Sequence, residues 1–173
     1  MTILDEIQHE VWHILTVMYT HGEMLKDLPS CRTRYDMGNQ FVALNALSEM
    51  LVLRIARLAD KDKKLRTVSM FLKRGNFAAP DEDVKNAADK FITQAGPVVK
   101  MRHEQIAHMK LGTLSSYEPK SIEASVISAV IALVEFINVA RQQTVSYRYR
   151  VGSQEAEVDL LASLEAGSRV TVK

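Results

Sequence analysis

Residues 102–108 read RHEQIAH. Arg102, His103, Glu104, Gln105 and His108 put a permanent cation, two imidazoles and two further polar groups within seven positions. A guanidinium grips oxyanions through paired N–H groups, and an imidazole exchanges protons near neutral pH. The types therefore suit chemistry on an oxyanion. Spacing alone decides little, since Arg followed by His four to six residues later arises about once by chance in a chain of this composition. On a helical wheel, Val98, Val99, Ile106 and Met109 fall within about 60° of Arg102, so the arginine projects from the apolar side. His108 falls at about 240° and Gln105 between them at about 300°, which makes a polar arc of about 120° beside an apolar stripe. Glu104, four residues before His108, is spaced to orient its ring. An arginine on an apolar side is costly unless it is paired or faces a cleft or an interface. The competing structural reading is an Arg in an internal ion pair beside a surface His.

A second constellation is HEVWH at 9–13. It satisfies the His-Glu-x-x-His pattern of zinc hydrolases, in which two histidines one turn apart hold the metal and the glutamate is the general base. With Ile7 at zero on the wheel, Val11, Ile14 and Met18 cluster within about 40°, while His9 and His13 fall at about 200° and 240°. That is the solvated face. Only eight residues precede the motif, and no GxxH extension or obvious third ligand follows. The expectation is an exposed pair of histidines, and no metal or other cofactor.

The chain that must position these residues is 173 long, 47% hydrophobic and 25% charged, which fits one soluble domain with a real core. A single cysteine, Cys31, excludes an internal disulfide and any multi-cysteine zinc site, and favours a reducing compartment. The acidic start MTILDEIQHE has no signal-peptide pattern, so the expected location is the cytoplasm. Charge is uneven along the chain. Residues 1–31 hold five acids and one lysine, net −4, and residues 32–74 hold ten bases and four acids, net +6. The basic half is either an anion-attracting surface or a set of charges paired elsewhere in the fold.

Helical periodicity runs through Leu4, Ile7, Val11, Ile14, Met18 and Leu25, and again through Phe41, Leu44, Leu47, Leu51, Ile55 and Leu58. DKDKK at 60–64 is a polar break. A short helix through Val68 and Phe71 stops at the Gly75-Asn76 pair, and Pro80 with the acids after it starts another. Gly96-Pro97 ends that helix and opens the one carrying RHEQIAH. A long apolar helix is expected from about Pro119 to about Gln142, central in the bundle and buried rather than membrane-spanning. VSYRYRV at 145–151 alternates like a strand, or else extends the helix, and EAEVDLLASLEAG in the tail reads as one short helix. The fold class is all-α, one domain over residues 1–173.

The order of these segments resembles the abortive-infection U-type branch of the HEPN superfamily. The resemblance spans residues 35–142 and leaves 143–173 as a C-terminal extension. It rests on Arg57, Leu58 and Asp60 as an Arg-Leu-x-Asp element, on TVSMFL after it, on Arg102, His103, Ala107 and His108 as the Arg…Ala-His motif, and on the long apolar helix that closes the domain. The family often has Asn after the motif arginine, where this chain has His103, and a basic-then-acidic pair after the Ala-His, where it has Met109 and Lys110.

The resemblance implies a single HEPN-like helical bundle and a metal-independent endoribonuclease of defence or toxin type, acting in phage defence as a homodimer. Arg102 and His108 are then the catalytic pair, with His103 beside them and Glu104, Gln105, Arg57 and Asp60 in support. RNA supplies its own nucleophile, the 2′-hydroxyl. His108 would move protons and Arg102 would hold the phosphate oxygens. A partner would be RNA, with an antitoxin or regulator protein, and no membrane. The alternative within the family is a non-catalytic HEPN module that binds RNA, nucleotide or a partner protein.

Overall fold

The computed structural model describes residues 1–62, 64–75, 77, 79–107, 119–151, 156–166 and 170–172. The fold is predominantly helical, with a small three-stranded antiparallel sheet at the C-terminal end. Helix α1 (Ile3–Asp27) begins at a capping box: the Thr2 hydroxyl accepts from the Asp5 amide at 3.1 Å, and the Asp5 carboxylate accepts from the Thr2 amide at 2.7 Å. Its stripe of Leu4, Ile7, Val11, Ile14 and Met18 is buried, as the periodicity predicts. Helix α2 (Arg34–Leu58) starts on Thr33, whose hydroxyl accepts from the Asp36 amide. Its second half buries Leu51, Ile55 and Leu58 against α1, but residues 32–39 are exposed on every face.

Helix α3 (Val68–Arg74) is capped by Thr67 and ends at Gly75. Any Cβ there would lie 2.6 Å from the Phe71 ring and carbonyl, so the stop requires glycine. Helix α4 (Asp81–Gln94) packs along α6 (Ala124–Arg141), which also touches α1, α2 and α5 (Gly96–Met101). Nine residues of α6 are buried, among them Val130, Leu133, Phe136 and Ile137, so it is the central helix. It is apolar and long enough to cross a membrane by length and composition, and half of that stretch lies inside the bundle.

Two boundaries differ from the sequence expectation. α6 starts at Ala124 rather than near Pro119, because Glu123 is extended and its carbonyl accepts the first helical amides, those of Val126 and Ile127. The tail is only half helical. Residues Ala156–Asp159 form strand β2, paired with β1 (Arg148–Val151) in the register Tyr149 to Val158, and β3 (Val170–Val172) adds to β2. Val158 points inward, fully buried. Asp159 then accepts from the Leu161 and Ala162 amides and starts α7 (Leu160–Ala166). The alternation of VSYRYRV is that of a strand over its second half.

Candidate functional site

RHEQIA does not continue α5 as an α-helix. Residues Arg102–Ala107 form a π-helical turn, in which amides reach five residues back. Such turns occur mostly as single insertions in helices, frequently at functional sites. Each residue then rotates the chain by less than the about 100° of an α-helix, so the wheel positions of this segment do not carry over. Arg102 is half-buried, and among the described residues no hydrogen bond or ion pair reaches its guanidinium. His103 and Gln105 are exposed and Glu104 is half-buried. His108, like Met109 and Lys110, lies outside the described residues.

Gln105 and Ile106 wall a cleft of about 170 Å³. Helix α2 forms the facing wall with Asn45, Ser48 and Glu49, and the segment before α6 adds Lys120 and Glu123. Thus the structure brings Gln105 to a cleft edge with Arg102 three residues before it. It does not bring Arg57 or Asp60 there. Arg57 donates to Glu10 at 3.2 Å, and the Asp60 carboxylate accepts from the Asp62 amide in a local turn. The described part of the apolar stripe beside Arg102 packs inside the chain. Val98 is fully buried, and Val99 and Ile106 pack on the core.

Sequence reasoning missed the pair behind this cleft. The Ser48 hydroxyl lies 3.1 Å from Nε2 of His21, which is buried in α1. Burial holds the His21 pKa below its ordinary value, so the ring is neutral at neutral pH. His13 is lowered too, by burial first, then by His9 and Arg54, against an opposing pull from Glu10. Neutral native histidines make a pH prediction. The unfolded chain takes up protons as the pH falls through about 6.5, while the native rings do not, so stability is full above that pH and declines below it. The urea midpoint should fall between pH 7 and pH 5, and fall less in His21→Gln. An equal fall in that variant would remove His21 from the account.

At HEVWH the His9 and His13 Nε2 atoms are 3.1 Å apart, and both rings pack on Trp12. His9 is exposed, as the wheel predicts, but His13 is half-buried. Glu10 turns the other way. It is only 7% exposed and takes Arg54 at 2.6 Å and Arg57 at 3.2 Å on one oxygen, with Arg66 at 3.6 Å from the other. Arg66 also meets Glu6 at 2.5 Å. A glutamate so engaged is not available as the general base of the zinc-hydrolase pattern. Among the described residues no group of three or more His, Cys, Asp or Glu side chains could hold a metal. These contacts also answer the uneven charge: three arginines of the basic segment are bound by the acidic helix before it. No protein-family model, curated protein or solved structure matches the chain.

Proposed function

We propose that this chain is a metal-independent endoribonuclease of the HEPN kind, cytoplasmic and of defence or toxin type, acting through Arg102 and His108. One observation carries the proposal. A half-buried arginine with no counter-charge among the described residues stands at the head of a π-helical turn that walls a cleft. A cation so placed is costly unless an anion comes to it, and an RNA phosphate is such an anion. In the reaction the 2′-hydroxyl loses its proton to a base and its oxygen attacks the adjacent phosphorus. The bond to the 5′-oxygen breaks as that oxygen gains a proton, leaving a 2′,3′-cyclic phosphate and a 5′-hydroxyl. His108 is assigned proton transfer, Arg102 the charge on the phosphate oxygens, and His103 the positioning of the 2′-hydroxyl. The test is incubation of the pure protein with total RNA in EDTA beside Arg102→Ala. Absence of cutting by the wild type rejects the catalytic assignment.

We further propose a homodimer that meets through an exposed apolar stripe of α2. Tyr35, Val42 and Leu53 lie within about 20° of one line along α2 and are 77%, 63% and 42% exposed. That is an apolar stripe open to solvent, whereas beside Arg102 Val98 is buried and Val99 and Ile106 are partly buried against the core. Val42→Glu with Leu53→Glu should convert a dimer to a monomer in light scattering at micromolar concentration. A wild type already monomeric there would dismiss the dimer, and an unchanged dimer in the double variant would dismiss this face.

A second reading has an observation of its own. Glu49 and Glu123 line the cleft along with Lys120, so its wall is mixed in charge rather than a basic track. This favours a non-catalytic module that takes a discrete ligand, such as a nucleotide or a segment of a regulator protein, over one that runs along an RNA backbone. Binding of RNA or nucleotide without cutting, lost in Gln105→Ala, would select it.

A further inference from the structure

Where the start of α1 meets the end of α6 and the strand that follows, a second cleft of about 170 Å³ is lined by Asp5, Gln8, His9, Trp12, Arg141 and Tyr147, with Ser146 beside them. Arg141 ties the elements together. Its Nε donates to the Gln8 side-chain oxygen at 2.9 Å and its Nη2 to Asp5 at 2.5 Å. Both Asp5 oxygens are occupied, one by Arg141 and the other by the Thr2 amide. The guanidinium holds the Asp5 carboxyl far below the usual carboxylate range, so this pair stays ionised and mutually neutral.

Tyr147 lines both this cleft and a neighbouring one that includes Asn138 and Asp159. Tyr147 is 2% exposed, and its hydroxyl has no hydrogen-bond partner. Such a buried orphan is destabilising and rare in a native protein. Arg141 is the one charge that bears on this hydroxyl, opposing the upward push of burial on its pKa. The guanidinium keeps its Nη1 free of any partner among the described residues. Tyr147, Nη1 of Arg141, the Gln8 amide nitrogen and the Ser146 hydroxyl can all donate, and the main acceptor, Asp5, is already used.

We propose that this cleft binds a small oxyanion, with the Tyr147 hydroxyl and Arg141 Nη1 each donating to one of its oxygens. Arg141 Nη1 and the Gln8 amide nitrogen can only donate and the two hydroxyls can turn to donate, so an acceptor of several hydrogen bonds fits them. The volume holds a phosphate or small carboxylate with a few waters, at about 30 Å³ for each water. Bound there, the anion would join α1, α6 and the chain leading into β1, and so stabilise the native fold by mass action. This site is separate from the cleft walled by Gln105 and Ile106, and its test uses no RNA, so either proposal can fail alone.

Trp12 lines the cleft and is the only tryptophan of the chain, so its emission reports on this site directly. The full-length protein is titrated with sodium phosphate and, separately, with sodium acetate, each at constant ionic strength made up with sodium chloride. The melting temperature is followed in parallel. The expected result is a saturable change in Trp12 emission and a rise in melting temperature with at least one anion. Response to phosphate alone assigns a phosphate site, and response to both a general oxyanion site. Tyr147→Phe removes only the orphan hydroxyl, so in chloride it should melt no lower than the wild type, while anion binding weakens at least about 10-fold. If neither anion moves emission or melting temperature in a saturable way, or if Tyr147→Phe binds as tightly as the wild type, the proposal is overturned.

Discussion

Arg102→Ala should lower metal-free RNA cutting at least about 10²-fold, the usual loss when one preorganised donor to a developing oxyanion is removed. The melting temperature should stay within about 2 °C, because no ion pair or hydrogen bond is lost among the described residues. That pairing of results separates the two readings of RHEQIAH. A structural arginine gives the reverse: unchanged or absent activity and a lower melting temperature. Arg102→Lys should recover only part of the rate, since an ammonium cannot make the two-pronged contact to phosphate. His108→Ala should cost about 10² to 10⁴ in rate, the range for a positioned proton-transfer group. DNA and RNA with a 2′-O-methyl at the cut site should both be inert, because the nucleophile is missing. Cutting that persists in Arg102→Ala and His108→Ala, assayed in EDTA with a second purification to exclude contaminants, would end the assignment.

The helices that bury one continuous stripe were legible in the sequence. α1, the second half of α2, and α6 each show their core face at helical spacing, and punctuation placed the breaks at Gly75, Pro80 and Gly96-Pro97. What the wheel could not reveal was the π-helical turn at Arg102, because a change in helical period leaves no trace in a count of apolar residues. Nor could periodicity split the tail. AEVD is the middle strand of the sheet, paired with β1 on one side and β3 on the other, so its state is decided by its pairing partners rather than by its own pattern. Two buried polar residues do leave a signal on the wheel. With Ile7 at zero, Glu10 falls at about −60° and His21 at about −40°, on the core side with Val11 and Ile14. A charged or titratable residue on that side asks for a partner, and both have one, in Arg54 and Ser48. Their partners are 44 and 27 residues away, a distance that local spacing cannot span.

Glu10→Gln should be the most destabilising single change among the polar residues described here. The side chain is nearly buried and receives Arg54 and Arg57 on one oxygen, with Arg66 beside the other. Removing the charge leaves three cations facing Glu6 alone, and an uncompensated buried partner typically costs about 3 to 5 kcal/mol. The arginines are only partly buried, so solvent screens some of that loss, and about 2 to 3 kcal/mol is the expected effect. In a chain of this size it lowers the melting temperature by about 5 to 10 °C. The arginines should rank by exposure. Arg54, at 26%, should matter more than Arg57, at 52%, whose loss should stay within about 1 kcal/mol. A double-mutant cycle between Glu10 and Arg54 isolates the pair, and a coupling of about 1 kcal/mol or more is expected for residues in direct contact. A coupling near zero, or a Glu10→Gln protein as stable as the wild type, would mean that α1 and α2 are held by their apolar faces alone. The network would then be free for another use, and its exposed Arg57 and Arg66 would become the first groups to test for contact with an RNA backbone.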